Sequence, residues 1–133
     1  MGKTQKMKVL VVDNETEFAS TLAERLRLRK IEAQSVYSGE EGLAAVGRFL
    51  PDVMILDLRM PGIDGIEVLR QVKSTNPDIE VIVLTGHGTE KDKDVCMELG
   101  AFAFLQKPVD ISLLSQTLMK ANEKVQGKKT TKR

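Results

Sequence analysis

The stretch VLVVDNE, residues 9–15, joins four consecutive apolar residues to three polar ones. Short apolar runs rich in β-branched residues are typical of strands covered on both faces of a parallel sheet. A second stretch of the same form, VMILD, spans residues 53–57 and also ends in an aspartate. Both patterns predict a buried strand that delivers the residues after it to a charged site.

Short apolar runs alternate with helix-patterned segments along the chain. Apolar residues recur at helical spacing, as Phe18, Leu22 and Leu26 do, and Ser38 and Glu41 have the spacing of a capping box. The predicted strands are residues 9–12, 31–36, 53–56, 79–84 and 101–105; the predicted helices are residues 16–29, 38–50, 64–75, 89–99 and 110–121. Five such β-α units predict an α/β fold, with a doubly wound, mostly parallel sheet and helices on both faces.

The composition is that of a single globular domain. The chain has 133 residues, of which 41% are hydrophobic and 29% are charged. Cys96 and His87 are the only residues of their types, which excludes an intrachain disulfide and the usual zinc sites. Neither a secretory signal pattern nor an apolar stretch of about 20 residues is present, so we expect a cytoplasmic protein without membrane contact.

The charges are unevenly distributed along the chain. Residues 120–133 carry six Lys or Arg and one acid, which leaves 14 basic and 18 acidic residues, a charge of −4, for residues 1–119. We predict an N-terminal arm at residues 1–7, one domain at residues 8–125, and a solvated basic tail or linker stub at residues 126–133. A frayed or linking segment is the commoner role of such a tail, so we do not expect the domain to bind nucleic acid.

Open α/β sheets bind their ligands at the carboxyl ends of the strands. The polar residues predicted there are Asp13, Asn14 and Glu15 after the first strand, Asp57 after the third, Thr85 and His87 after the fourth, and Lys107 after the fifth. A carboxylate can accept a phosphoryl group as an acyl phosphate, and oxygen ligands together with a lysine neutralise phosphate charge. The set therefore indicates metal-assisted phosphoryl transfer.

The blocks VLVVDNE, LDLRMPGIDG, VLTGHG and FLQKPV resemble, in order and spacing, those of the receiver (phosphoacceptor) domain of bacterial two-component response regulators. The resemblance covers residues 7–125. It implies a flavodoxin-like fold with strand order 2-1-3-4-5 and five helices. It also implies a switch in signal transduction that is not a turnover enzyme on an external substrate.

The resemblance assigns roles to individual residues. Asp57 corresponds to the phosphoacceptor, which receives its phosphoryl group from a sensor histidine kinase or a phosphotransfer protein. Asp13, Asn14, Asp57 and the backbone carbonyl of Arg59 correspond to the ligands of Mg²⁺.

Further positions match the switch and rate-tuning residues of the family. Thr85 and Lys107 correspond to residues that contact the phosphoryl group, and Phe104 to the aromatic switch residue. Arg59 and His87 occupy its variable, rate-tuning positions. The Lys107–Pro108 peptide bond is expected to be cis.

The resemblance also implies partners. It places the output surface on the fourth helix, fifth strand and fifth helix, with Asp92, Lys93, Val95 and Cys96 on it, for an output domain or a separate partner. A homodimer is left open.

Asn14 departs from the family pattern, which usually has an acid there. An amide oxygen can still bind Mg²⁺, but the site loses one negative charge, so we expect about tenfold weaker binding than Asn14→Asp would give. Glu15, which by position complements the dipole of the first helix, is the residue best placed to replace that charge.

Two alternative functions stay open. Because of Asn14, the domain could be a pseudo-receiver that docks to a partner without being phosphorylated. A phosphohydrolase with an aspartyl-phosphate intermediate is a weaker alternative, because it needs an acid where Arg59 stands.

Overall fold

The computed structural model of the chain describes residues 6–131, with side chains up to residue 129. Residues 1–5 of the predicted N-terminal arm and residues 132–133 of the predicted tail lie outside this range. Met7, the last residue of that arm, packs against the core.

Five strands alternate with five helices, as the sequence predicted. In chain order the elements are β1 (Lys8–Val12), α1 (Thr16–Leu28), β2 (Glu32–Val36), α2 (Gly39–Phe49), β3 (Val53–Leu56), α3 (Gly65–Thr75), β4 (Glu80–Thr85), α4 (Glu90–Glu98), β5 (Ala103–Gln106) and α5 (Ile111–Thr131). The strands form one parallel sheet in the order β2-β1-β3-β4-β5. The doubly wound class was predicted from the sequence pattern, and the strand order is the one that the resemblance implied.

Side-chain hydrogen bonds define where several helices begin. Ser38 accepts from the backbone N–H of Glu41 at the start of α2, and Asp64 accepts from that of Glu67 at the start of α3. Thr89 and Asp92 form a complete capping box on α4. Each cap satisfies backbone donors that have no partner inside the helix, which fixes the residue at which the helix starts.

Alternate residues of the central strands face opposite sides of the sheet and build two apolar layers. Leu10, Met54 and Val81 belong to the layer covered by α2, α3 and α4. Their neighbours Val9, Val53 and Ile82 belong to the layer covered by α1 and α5. Burial on both faces explains why these strands are apolar at almost every position.

Helix α5 continues past residue 125, where the sequence predicted the domain to end. The Nζ of Lys128 lies 2.9 Å from Oε2 of Glu80, and that of Lys129 lies 3.1 Å from Oδ1 of Asp52. Asp52 also accepts a hydrogen bond from the backbone N–H of Lys8, and Glu80 is fully buried. Lys128 and Lys129, which the sequence placed in the tail, are therefore paired with acids at the amino-terminal edge of the sheet. Within residues 6–131 no helix is both long enough and apolar enough to span a membrane.

Candidate functional site

Four polar side chains meet at the carboxyl edge of the sheet. Asp13 follows β1, Asp57 follows β3, Thr85 is the last residue of β4, and Lys107 follows β5. Asp13 and Asp57 retain only 2% and 5% of their solvent exposure, and Thr85 is fully buried. The parallel order brings these residues together although up to 94 positions separate them in the chain.

Lys107 holds this group of side chains together. Its Nζ lies 2.6 Å from Oε1 of Glu15, 2.8 Å from Oδ2 of Asp13 and 3.9 Å from Oδ2 of Asp57. The same ammonium lies 4.3 Å from the ring centroid of Phe18, within the range of a cation–π contact. The Lys107–Pro108 peptide bond is cis, as the resemblance implied.

Burial and charge pairing shift three pKa values at the site. Burial raises the pKa of Asp13, although hydrogen bonds from Lys107 and from the backbone of Glu15 oppose the shift. The hydrogen bond from Lys107 lowers the pKa of Glu15. For Lys107, burial alone would lower the pKa, but its hydrogen bonds to Asp13 and Glu15 outweigh burial and raise it. The ammonium is therefore charged at neutral pH, with a strong preference for carboxylate partners.

The loop after β3 fixes the position of Asp57. One carboxylate oxygen, Oδ1, accepts a hydrogen bond from the backbone N–H of Leu58 at 2.9 Å. The backbone N–H of Gly65 donates to the carbonyl of Leu58, which folds the loop back onto the start of α3. A Cβ on Gly65 would collide with the carbonyl oxygen of Asp57, so this close approach requires glycine. The second oxygen, Oδ2, is the one on the side of Lys107.

The loops after β3 and β4 are joined above Asp57. Arg59 donates a hydrogen bond to the carbonyl oxygen of His87 at 3.3 Å and lies 4.0 Å from the carboxylate of Asp92. The hydroxyl of Thr85 accepts a hydrogen bond from the backbone N–H of His87 at 3.3 Å. Arg59 and His87 are exposed, whereas Thr85 is buried. Because Thr85 is hydrogen-bonded to the backbone of His87, a movement of the Thr85 side chain would change the conformation of the loop after β4.

Phe104 lies against this loop from the side of β5. It is half-buried and packs against the layer that α2, α3 and α4 cover. A Cβ on Gly88 would collide with the Phe104 ring and would lie 2.9 Å from the methyl group of Thr85. Gly88 therefore leaves the space in which the aromatic ring approaches Thr85.

A cleft of about 520 Å³ opens over these groups. The residues around it are Asn14, Glu15, Phe18, Asp57, Arg59, Gly86, His87, Lys107 and Pro108. Six of the polar residues singled out from the sequence thus share one cleft. Asp13 lies beneath it in contact with Lys107, whereas Thr85 and Phe104 are not among its walls.

The charges at the cleft suit a divalent cation. Asp13, Asp57 and Glu15 contribute three negative charges, and Lys107 and Arg59 contribute two positive charges, which leaves a net charge of −1. The described residues contain no group of three or more His, Cys, Asp or Glu side chains arranged to hold a metal ion. A ligand set of two buried carboxylates, the Asn14 amide and a backbone carbonyl does not need such a group. The side chains present therefore fit Mg²⁺, which takes few protein ligands and keeps several waters.

The predicted output surface is only partly exposed. Lys93 is exposed, Asp92 and Val95 are half-buried, and Asp92 is engaged in the capping box of α4. Cys96, which the sequence analysis placed on this surface, is fully buried in the core. That placement was wrong because Cys96 is on the face of α4 that packs against the sheet, which a short, highly charged helix does not reveal by its pattern.

Two residues make contacts at the site that the sequence did not predict. Glu15 precedes α1, yet its side chain makes no capping hydrogen bond and contacts Lys107 instead. Phe18 was read as a core position of α1 and also lies against the Lys107 ammonium. The sequence gives no local signal for either contact, because both join residues about 90 positions apart.

Comparisons with known proteins agree with the resemblance found in the sequence. A family model described as "Response regulator receiver domain" matches residues 9–119. The transcriptional regulatory protein GlrR of Escherichia coli (strain K12) is 35% identical over 115 residues, which are 86% of this chain and 26% of GlrR. The DNA-binding transcriptional regulator NtrC of Salmonella typhimurium is 36% identical over 107 residues, 80% of this chain and 23% of NtrC. The chain thus spans about a quarter of the length of these relatives.

Solved structures show the same fold. The signal receiver domain of a putative Luxo repressor protein from Vibrio parahaemolyticus has a TM-score of 0.90 at 22% identity, and the match covers 97% of this chain and 99% of that one. NtrX from Brucella abortus, in complex with ADP, has a TM-score of 0.88 at 25% identity, with 96% of this chain and 30% of that one covered.

Proposed function

Since the chain belongs to the response regulator receiver domain family, we propose that it accepts a phosphoryl group on Asp57 and changes conformation as a result. The observation that carries the proposal is the position of Asp57. It is a buried carboxylate at the floor of an open cleft, and its Oδ2 lies 3.9 Å from a lysine ammonium.

The donor is a phosphohistidine on a sensor histidine kinase or a phosphotransfer protein. A carboxylate oxygen of Asp57 attacks the phosphorus atom, the P–N bond breaks, and the imidazole leaves with the bonding electron pair and takes up a proton. The oxygen turned towards Lys107, Oδ2, is the one we assign to this attack. Oδ1 is occupied by the hydrogen bond from the backbone N–H of Leu58, which holds the carboxylate in place.

The residues around Asp57 provide charge stabilisation and a means of switching. Lys107 supplies an ammonium for the phosphoryl oxygens, and Thr85 supplies a hydroxyl at the end of the neighbouring strand. When the hydroxyl turns towards the phosphoryl group, it gives up its contact with the backbone N–H of His87. That loss alters the space beside Gly88 in which the ring of Phe104 lies. Phosphorylation thereby biases the loop between β4 and α4.

Asp13, Asp57, the amide oxygen of Asn14 and the backbone carbonyl of Arg59 are the groups that would hold Mg²⁺. When bound, the ion would neutralise charge on the phosphoryl group. Asp13 is kept in place for this role by hydrogen bonds from Lys107 and from the backbone N–H of Glu15. Arg59 and His87, at the rim of the cleft, are placed to tune the rate of phosphoryl transfer and loss.

The output of the switch is read on the face formed by α4, β5 and α5. GlrR and NtrC are named as transcriptional regulators and are more than three times as long as this chain. By analogy we place an output domain or a separate partner on this face, with homodimerisation through it as one form of output. The same analogy supports a cytoplasmic location.

Phosphate incorporation tests the proposal. The protein is incubated with radiolabelled acetyl phosphate and Mg²⁺, and acid-labile label is measured for the unsubstituted chain, Asp57→Asn and Asp64→Asn. Asp64→Asn removes the same charge from an exposed helix cap, where asparagine serves equally well. Only Asp57→Asn should abolish incorporation. Equal labelling of Asp57→Asn would rule out the assigned phosphoacceptor.

One observation favours a second candidate, a domain that docks without being phosphorylated. Asn14 is an amide where the resemblance implies an acid, so the site has one negative charge fewer for Mg²⁺. Absence of both Mg²⁺ binding and phosphate incorporation in the unsubstituted protein would support that candidate.

A further inference from the structure

Glu15 is the one acid in the site whose side chain is largely in water. Its side chain is 62% exposed, compared with 3% for Asp13 and 5% for Asp57. It precedes α1 but does not cap that helix. Its carboxylate instead reaches the Nζ of Lys107, at the shortest of the three distances that this ammonium makes. The side chain of Glu15 therefore binds Lys107 and does not cap α1.

The contact draws the Lys107 ammonium away from Asp57. Two of its three N–H donors are taken by Glu15 and Asp13, and the distance to Asp57, 3.9 Å, is too long for a hydrogen bond. A phosphoryl group on Asp57 would offer this ammonium strong acceptors. Lys107 would have to release one carboxylate to reach them, and the exposed Glu15 can be solvated by water on release whereas the buried Asp13 cannot.

We infer that Glu15 is a positioning residue, which holds Lys107 away from Asp57 in the unphosphorylated chain and slows the acceptance of a phosphoryl group. This inference rests on the proposed function. Two effects act in the same direction. Release of the Glu15–Lys107 contact is needed before Lys107 can bind the phosphoryl oxygens. The negative charge of Glu15, on the wall of the cleft, also repels an anionic donor.

Glu15→Gln separates these contributions when it is compared with Glu17→Gln. Both substitutions remove one negative charge from an exposed position at the start of α1. Of these two glutamates, Glu15 is the one that has a described contact with Lys107. At saturating Mg²⁺ we expect Glu15→Gln to be phosphorylated by acetyl phosphate about two- to fivefold faster, the range that an exposed ion pair can supply. Glu17→Gln should stay within about 1.5-fold of the unsubstituted rate, since its charge acts only through solvent.

A double-mutant comparison tests whether the effect passes through the lysine. In a Lys107→Met background, Glu15→Gln should speed phosphorylation less than it does in the unsubstituted protein, because only the repulsion of the donor remains to be removed. The ¹⁵N resonance of Lys107 Nζ supplies a readout without phosphate. It should shift on Glu15→Gln and not on Glu17→Gln, and the two forms at position 15 should converge when beryllofluoride, a phosphoryl mimic, is added.

Each outcome decides the inference. An unchanged rate for Glu15→Gln in a protein that incorporates phosphate on Asp57 would overturn it and leave the proposed function standing. A slower rate would also overturn it, and would mean that Glu15 assists phosphorylation, for instance by replacing the charge that Asn14 lacks. If the unsubstituted protein incorporated no phosphate, the proposed function would fail, and the inference with it.

Discussion

The Nζ of Lys107 lies 2.8 Å from Oδ2 of Asp13 and 3.9 Å from Oδ2 of Asp57. The lysine is therefore bound to one buried carboxylate and only near the other. This difference leaves the Oδ2 of Asp57 available for chemistry while keeping a positive charge within reach of the product. The predictions below follow from this arrangement and from its counterpart at the opposite edge of the sheet.

Asn14→Asp should strengthen Mg²⁺ binding by about tenfold, or about 1.4 kcal/mol, because it adds a negative charge at a ligand position. Isothermal titration calorimetry with Mg²⁺ measures the difference. Gln34→Glu, which adds the same charge on the exposed face of β2, is the control and should leave the affinity nearly unchanged. Equal affinities for the unsubstituted protein and Asn14→Asp would show that another acid already replaces the missing charge.

Asp13→Asn should stabilise the metal-free protein. An acid whose pKa is higher in the folded than in the unfolded chain destabilises the fold once the pH exceeds its ordinary value of 3.8. The penalty grows until the pH passes the raised value and is constant above it. We expect a free energy of unfolding about 0.5–2 kcal/mol higher at pH 7, with the gain shrinking as the pH is lowered towards 3.8.

Urea denaturation in the presence of EDTA measures this change, with Asp64→Asn as the control for loss of an exposed charge. The same Asp13→Asn variant should lose the stabilisation that Mg²⁺ gives to the unsubstituted protein. Lower stability of Asp13→Asn at pH 7 would show that the contact with Lys107 outweighs the cost of burying the carboxylate.

Glu80→Gln should destabilise the fold by about 1–3 kcal/mol, because it leaves the surrounding ammonium groups without their buried counter-charge. Lys128 lies 2.9 Å, Lys124 3.6 Å and Lys73 3.9 Å from the carboxylate of Glu80. Urea denaturation measures the loss. Glu67→Gln breaks an exposed pair with Arg70 and should cost less than about 0.5 kcal/mol. Equal effects of the two substitutions would contradict the role given to the buried cluster.

The Cys96 thiol should be unreactive in the native protein. Burial raises its pKa from 9.0 to about 11, so the reactive thiolate is scarce at pH 8. We expect alkylation by iodoacetamide at pH 8 to be at least about a hundredfold slower in buffer than in urea, as followed by mass spectrometry. Because the unfolded thiol ionises first, stability should also fall as the pH rises from 9.0 to about 11. Rapid native labelling would mean that α4 does not pack as described.

Local signals were sufficient for the alternation of strands and helices and for the doubly wound class, whereas the strand order came from the family resemblance. Apolar runs at β1, β3 and β4 identified the central strands, and the caps Ser38, Asp64 and Thr89 fixed the starts of three helices. β5 is the least accurately predicted strand: residues 101–105 were predicted and Ala103–Gln106 is observed. The backbone N–H of Ala101 donates a hydrogen bond to the carbonyl oxygen of Cys96, which closes the turn after α4. Residues 101 and 102 therefore belong to this turn, and the strand begins two residues later than predicted.

Long-range ion pairs could not be predicted in the same way. The contact between Glu15 and Lys107 joins residues 92 positions apart, and that between Lys128 and Glu80 joins residues 48 apart. Such pairs depend on strand order and on how far α5 extends, neither of which follows from local patterns. The sequence did contain one signal of this kind, because Glu80 interrupts the apolar run IEVIVL. Burying an unpaired carboxylate in a strand is costly, so a cationic partner for Glu80 is expected.

The central claim is that Asp57 carries the phosphoryl group. Borohydride reduces an aspartyl phosphate to homoserine, which marks the modified residue permanently for peptide mapping by mass spectrometry. After incubation with acetyl phosphate and Mg²⁺, the account predicts homoserine at position 57 and unmodified aspartate at position 13. Homoserine at position 13, or at neither position, would contradict it.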